Sequence, residues 1–194
     1  MEQKKATLWQ VLKPVLILTL VVFGLSFVFF LWQKYQGVDS NSLVKVGVIV
    51  PDFAGKKMGG GDLRFSELAA TKKIIMVNFW ATWCSSCVVE MPSIVQTWNQ
   101  FKDQGFEVIA VNLDEKKDGR VEKMAADLGM KFPVLMDPES DIAEIFDVHA
   151  IPLTAILNSK GEVLMLERGE RDWNSGRIRG LIADWLKNDT GKTD

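Results

Sequence analysis

The sequence predicts an α/β protein, a mixed sheet flanked by helices, preceded by a helix that spans a membrane. Three observations carry this. Two apolar runs rich in β-branched and aromatic residues, "KIIMVNFWA" (73–81) and "FEVIAVNLD" (106–114), read as strands buried on both faces. Between and after them, apolar residues recur at helical spacing. Residues 14–33 hold no charge over 20 positions and are dominated by Leu, Val, Ile and Phe.

A chain of 194 residues fits one ordinary domain plus an extra segment, and 47% hydrophobic content is enough for a sizeable core. No internal repeat at solenoid periods is present. Residues 47–194 hold 18 basic and 23 acidic residues, a net of −5. A domain this acidic has no basic footprint for nucleic acid.

Taken in order, residues 1–13 read as a cytoplasmic N-terminus and 14–33 as a transmembrane anchor. At about 1.5 Å per residue a helix of that length spans roughly 30 Å, the thickness of a bilayer's hydrocarbon core. Trp9, Trp32 and Tyr35 lie near its ends, where amphipathic rings favour the headgroup region. A cleaved secretory signal is the competing reading, with Val38-Asp39-Ser40 as its cleavage site, but its apolar region should be shorter. Lys4, Lys5 and Lys13 precede the segment and Lys34 and Lys45 follow it, so the positive-inside rule favours a cytoplasmic N-terminus by one lysine. The remainder then faces the non-cytoplasmic side, which is oxidising in bacteria. Residues 34–46 are polar and read as a tether, leaving 47–194 as the folded domain.

Within that domain, Pro51 and the Gly59-Gly60-Gly61 run mark turns in an opening segment, the glycines suiting a hairpin. After the strand at 73–81, Met91, Ile94, Val95, Trp98 and Phe101 line a helix that ends at Gly105. The strand at 106–114 follows, then a helical pattern over 119–128 with Val121, Met124, Ala125 and Leu128 on one face. Residues 131–137 form a short strand, 139–148 a short helix and 152–158 another strand, from which Asn158-Ser159-Lys160-Gly161 turns into "EVLMLERG". A last amphipathic helix carries Trp173, Ile178, Leu181, Ile182, Trp185 and Leu186. The acidic stretches "DEKKD" and "LERGERD" mix signs and read as solvated loops.

The chain's two cysteines, Cys84 and Cys87, stand two residues apart where the first buried strand gives way to a helix. As a staple the pair would close a loop of about four residues, worth about 2 kcal/mol against nearly 5 for a 100-residue loop. Zinc wants four ligands, which one cysteine pair and the lone His149 cannot supply. A redox role has a mechanism. At a helix N-terminus, unpaired N–H groups and the macrodipole favour an anion, so a thiolate at Cys84 is stabilised. Cys87, one turn on, can attack a mixed disulfide formed at Cys84, and the attack is intramolecular.

The run "VNFWATWC--C--E-P" resembles the thioredoxin superfamily, specifically its membrane-tethered TlpA/ResA/DsbE-like branch. "VPDF" (50–53), "FSEL" (65–68), Glu90 and Pro92, "FPVLMD" and "VHAIPLTAILNSKGEV" (148–163) carry the resemblance onward over roughly 47–187. It implies a thioredoxin-like fold in which the helix and strand at 119–136 are the TlpA-type central insertion. It implies Cys84 as the attacking thiol and Cys87 as the resolving one, with their redox-active disulfide and no further cofactor. It makes Trp83 part of the substrate-facing surface and Pro152 a cis-proline whose neighbour Ile151 presents backbone groups to an extended substrate. Pro92 should kink the helix, because it lacks an N–H and crowds the preceding turn. The implied substrates are exported proteins with a disulfide, apocytochrome c among them, and the implied electron donor is a transmembrane thiol reductase. The place of work is the extracytoplasmic, periplasmic side of the bacterial inner membrane.

Departures from the family pattern matter. Six residues before the first cysteine, thioredoxins carry an Asp as proton acceptor; Asn78 stands there and does not titrate. Glu90 lies three residues after Cys87 on its helical face, and a carboxylate there could take the Cys87 proton if burial raises its pKa. The competing role for Glu90 is an exposed acid that suits the helix dipole. Ser85-Ser86 replaces the branch's usual X-Pro between the cysteines; their hydroxyls could donate to the Cys84 sulfur or cap the helix. Ala150 and Leu153 replace the commoner Gly and Thr beside Pro152. His149 has no motif demanding a histidine and reads as a surface residue. The expected activity is therefore disulfide reduction, with a disulfide-donating oxidase and a non-catalytic tethered peptide-binding module as its rivals.

Overall fold

The computed structural model describes Pro14 and residues 19–29, 44–115 and 118–188, in two compact units, Met1–Ser42 and Leu43–Asp194. In the first unit, 19–29 are helical, and Leu20, Val21, Val22, Phe23, Leu25, Phe27, Val28 and Phe29 are all exposed. Among the described residues no helix is long and apolar enough to cross a membrane. The rest of the expected anchor at 14–33, all of 1–13 and most of the tether at 34–46 lie outside the described residues.

The second unit is built on a sheet that runs, among the described residues, in the order β2-β1-β5-β4-β3-β6-β7. Its strands are β1 (Ala54–Lys57), β2 (Asp62–Arg64), β3 (Ile74–Trp80), β4 (Phe106–Asn112), β5 (Val134–Met136), β6 (Leu153–Asn158) and β7 (Val163–Arg168). Its helices are α1 (Phe65–Ala69), α2 (Ser85–Phe101), α3 (Arg120–Asp127), α4 (Asp141–Ile145) and α5 (Gly176–Asn188). Strands β3, β4 and β5 are parallel, because α2 and α3 provide the crossovers between them. The remaining pairs, β3–β6, β6–β7, β5–β1 and β1–β2, are antiparallel. The sheet is thus mixed, and α3 and then β5 follow β4 along the chain before α4.

Period-2 alternation along β3 divides the core into two layers. Ile74, Met76 and Trp80 face Met91, Ile94, Trp98, Val121, Ile178 and Ile182, which places α2, α3 and α5 on one side. Ile75, Val77 and Phe79 face Phe53, Phe65, Ile142 and Phe146, which places α1 and α4 on the other. Every residue of β3 and β4 is buried, as their continuous apolar runs require.

Boundaries moved where local chemistry overrode the pattern. Val44, assigned to the tether, is 3% exposed and belongs to the core, and three residues on the Gly47 N–H bonds the Val163 carbonyl. Trp173, assigned to the last helix, precedes α5 and lies in the loop after β7. The helix at 139–148 is shorter, because the carboxylate of Asp137 accepts the N–H groups of Ile142 and Ala143 and starts the coil there. Pro92 lies inside α2, which continues to Phe101. At the β6–β7 turn, Asn158 Oδ1 accepts the amides of Lys160 and Glu162 while Gly161 takes φ +80°, a value that favours glycine.

Candidate active site

The turn after β3 delivers Cys84 to the first position before α2, where its backbone is still extended (φ −91°, ψ 99°) and its sulfur accepts the Cys87 N–H at 3.3 Å. Cys84 thereby satisfies one of the donors that a helix start leaves unpaired. The two sulfurs are bonded to each other. Cys84 is 7% exposed and Cys87 fully buried, so only the first can meet a partner at the surface without rearrangement. Ser86 Oγ lies 3.5 Å from Cys84 Sγ. A disulfide sulfur carries no proton, so the hydroxyl is the donor. Of the two hydroxyls that the sequence leaves open, it is Ser86 that reaches the sulfur.

A buried acid holds the turn itself. Asp114, at the carboxyl end of β4, accepts the Thr82 N–H at 2.8 Å, the Thr82 hydroxyl at 2.5 Å and the Asn112 side-chain amide at 2.8 Å. It is 3% exposed, so the "DEKKD" stretch is not solvated at its first residue. The next residue, Trp83, is 67% exposed, which excludes ordinary core packing for its ring. It borders a shallow hollow of about 210 Å³ with Thr82, Met124, Arg120, Lys123 and Asp127.

Glu90 is 2% exposed, not the surface acid of the competing reading. Its Oε1 accepts the Asn78 amide at 2.8 Å, and its Oε2 accepts the Arg171 backbone N–H and the Trp173 indole N–H, each at 3.1 Å. Burial pushes the carboxyl above its ordinary value, opposed by these three donors and aided by the nearby negative charge of Glu170. Asn78 also donates to Thr154 Oγ1 at 2.8 Å, directly across the β3–β6 ladder, while its own Oδ1 has no partner among the described residues. Asn78 thus does not titrate but presents a donor to the acid that can.

The Ile151–Pro152 peptide bond is cis, the conformation that the family resemblance implies. Pro152 immediately precedes Leu153, which pairs with Phe79 near the end of β3, the strand that leads into the turn carrying the cysteines. Ile151 is half-buried and packs against the layer that holds both cysteines. The Pro152 carbonyl accepts the Gly169 N–H at 2.8 Å. His149 is exposed and pairs with Asp147 at 2.9 Å. Among the described residues, no cluster of three His, Cys, Asp or Glu side chains could hold a metal ion.

Three features escaped sequence reasoning: the Asp114 clamp on Thr82, the Trp173 indole on Glu90, and the Arg171 amide beside it. Asp114 carried a signal, an acid at the carboxyl end of a buried central strand, where open α/β sheets place their sites. Trp173 and the Arg171 backbone carried none, because neither an apolar ring nor a main-chain amide stands out in a sequence.

The AhpC/TSA family profile matches residues 46–165. The thiol-disulfide oxidoreductase ResA of Geobacillus kaustophilus is 35% identical over 129 residues, 66% of this chain and 72% of that protein. ResA of Bacillus subtilis is 32% identical over 126 residues, 65% of this chain and 69% of that one. Among solved structures, a protein described as the thiol:disulfide interchange protein DsbE from Chlorobium tepidum superposes with a TM-score of 0.66 at 29% identity. That match covers 74% of this chain and 99% of the other. A protein from Neisseria meningitidis described as a thioredoxin gives 0.64 at 28% identity, over 74% and 93% of the two chains.

Proposed function

This chain belongs to the AhpC/TSA family as a thiol:disulfide oxidoreductase of thioredoxin-like fold, and we propose that it reduces disulfides in exported proteins through the Cys84–Cys87 dithiol. The observation that carries the proposal is the asymmetry of the pair: Cys84, capping α2, keeps 7% of its surface exposed, and Cys87 is fully buried one turn behind. The Cys84 thiolate attacks one sulfur of the substrate disulfide, forming a mixed disulfide and expelling the other substrate sulfur as a thiolate, which takes up a proton. Cys87 loses its proton and attacks Cys84 Sγ, so the Cys84–Cys87 bond forms and the second substrate thiol leaves. The substrate gains two electrons and the enzyme loses two.

Glu90 is the proposed acceptor of the Cys87 proton. It is buried, three residues on along the same helix, and its carboxyl is held above the ordinary range, which raises its strength as a base. Trp83 and the Ile151–Pro152 turn form the proposed surface for an extended substrate segment. The exposed apolar ring and the cis geometry support that role.

The apolar helix at 19–29, within the uncharged stretch 14–33, supports a membrane anchor, because a helix that is apolar all round suits a lipid environment. With the cytoplasmic N-terminus expected from the lysines, the folded unit works outside the cytoplasm at the bacterial inner membrane. Apocytochrome c is the proposed substrate type, and a transmembrane thiol reductase returns the dithiol to its reduced state.

Trapping tests the proposal. In a Cys87→Ser variant the second attack is impossible, so mixed disulfides through Cys84 accumulate and mass spectrometry identifies the captured partners. A variant that traps nothing would make the chain a peptide-binding module. A reduction potential near −270 mV supports a reductant, whereas one near −120 mV would make it an oxidase. Glu90→Gln slows exchange without unfolding the protein; unchanged kinetics would remove Glu90 from the mechanism.

A further inference from the structure

We infer that Trp173 is a positioning residue for the reaction: its indole N–H fixes the Glu90 carboxylate and keeps it able to accept the Cys87 proton. The inference rests on the role proposed for Glu90 above and adds the group that sets it.

Trp173 is fully buried and pinned to α2 at three successive places. Its Nε1–H donates to Glu90 Oε2 at 3.1 Å, its backbone N–H donates to Ser93 Oγ at 3.0 Å, and its carbonyl accepts the Thr97 hydroxyl at 3.0 Å. Ser93 in turn donates to the Glu90 carbonyl at 2.7 Å, so the same residue is tied both to the acid's side chain and to its backbone. A tryptophan needed only for bulk could leave its N–H toward solvent or toward any carbonyl. Here the N–H is spent on the carboxylate of Glu90. The loop that carries it begins at Gly169, whose N–H holds the Pro152 carbonyl, and passes Arg171, whose N–H meets the same Glu90 oxygen. One loop therefore supports both the cis-proline turn and the acid.

Electrostatics agree with this placement. Every donor to a carboxylate stabilises its charged form, so loss of one raises the proton affinity of Glu90. The groups facing Glu90 are the neutral Asn78 on β3, the Trp173 indole and Arg171 amide on the loop, and the exposed Glu170, whose charge opposes ionisation. The Arg171 guanidinium is engaged with Glu167. Since burial and Glu170 both push Glu90 toward its neutral form, the indole donor counters them.

The experiment measures reduction of glutathione disulfide by the reduced, full-length protein in detergent from pH 4 to 9, in wild type, Trp173→Phe, Glu90→Gln and the double variant. Phenylalanine keeps the ring and removes the donor. The expected result is a rise of roughly one pH unit in the midpoint of the acid limb for Trp173→Phe. Glu90→Gln removes the Glu90 contribution and leaves only the limb set by ionisation of the attacking Cys84 thiol, and the double variant matches Glu90→Gln. A Trp173→Phe profile with lower rates but an unmoved midpoint would overturn the inference while leaving Glu90 in place. An acid limb in Glu90→Gln with the wild-type midpoint would instead remove the role of Glu90 on which the inference rests. A second readout needs no variant at Trp173. In wild type the Trp173 indole ¹H–¹⁵N resonance shifts as Glu90 titrates and the shift is absent in Glu90→Gln; an indole signal that ignores pH would overturn the assignment.

Discussion

Asn78 donates its side-chain amide to Glu90 Oε1 at 2.8 Å, joining the central strand to the helix that bears both cysteines. The bond crosses a fully buried layer, and the donor stands where thioredoxins place an acid. A neutral strand residue thus serves one carboxylate where two would repel.

Asn78→Asp tests that arrangement. A second carboxylate within hydrogen-bond distance of Glu90 replaces a donor by an acceptor, and two buried carboxylates this close share one proton. The pair's proton affinity in the folded state then exceeds that of the unfolded chain, so the penalty is absent at low pH and grows as pH rises through the raised value. Urea unfolding should show a loss of about 2–4 kcal/mol at pH 7 that closes toward pH 4. A penalty independent of pH would mean that the two side chains do not couple.

Glu90 alone should leave a pH signature on stability. Its folded-state pKa lies above the ordinary carboxylate value, with burial as the main cause, so the native protein holds a proton that the unfolded chain has released. Its contribution to stability is therefore present below the unfolded pKa and is lost as pH rises through the folded one. Unfolding free energy of the oxidised protein, followed upward from pH 4, should fall more steeply in wild type than in Glu90→Gln.

Ser86→Ala should make the dithiol more reducing. The Ser86 hydroxyl donates toward Cys84 Sγ and favours a thiolate there once the bond opens. Without it the Cys84 thiol pKa rises and the reduced form loses stabilisation, so equilibrium with glutathione should give a potential lower by about 10–20 mV. Ser85→Ala, at an exposed side chain, should leave the potential unchanged.

Asp114→Ala should loosen the turn that presents Trp83. It strips partners from the Thr82 N–H and hydroxyl and from the Asn112 amide in a buried setting. Chemical denaturation should register a loss of about 2–4 kcal/mol, and Asp114→Asn, which keeps one acceptor oxygen, a smaller one.

The sheet was legible because its strands are either fully buried or sharply bounded. The expected strand at 73–81 is β3 at Ile74–Trp80, and the one at 106–114 is β4 at Phe106–Asn112. The cysteines could be placed from the strand-to-helix transition alone, and the proline turn only through resemblance. What stayed hidden was everything that depends on a tertiary partner. Asp114 resembles its charged neighbours in composition, yet only the fold turns it toward Thr82. Trp173 obeys the apolar spacing of the last helix and still lies outside it, drawn into the loop by its bonds to Ser93, Thr97 and Glu90. The burial of Glu90 was one of two outcomes open to the sequence, decided by the loop that folds over it.

The sulfur of Cys84 is both the atom that exchanges covalent partners and the atom that accepts an amide from the first turn of its own helix. That amide belongs to Cys87, so the steadying group travels with the resolving cysteine and does not depend on a distant part of the chain. When the bond between the sulfurs opens, the charge that develops on Cys84 meets a dipole already aimed at it. The exchange of sulfur partners is then confined to a single helical turn, and the proposed acceptor of the Cys87 proton, Glu90, stands on the next.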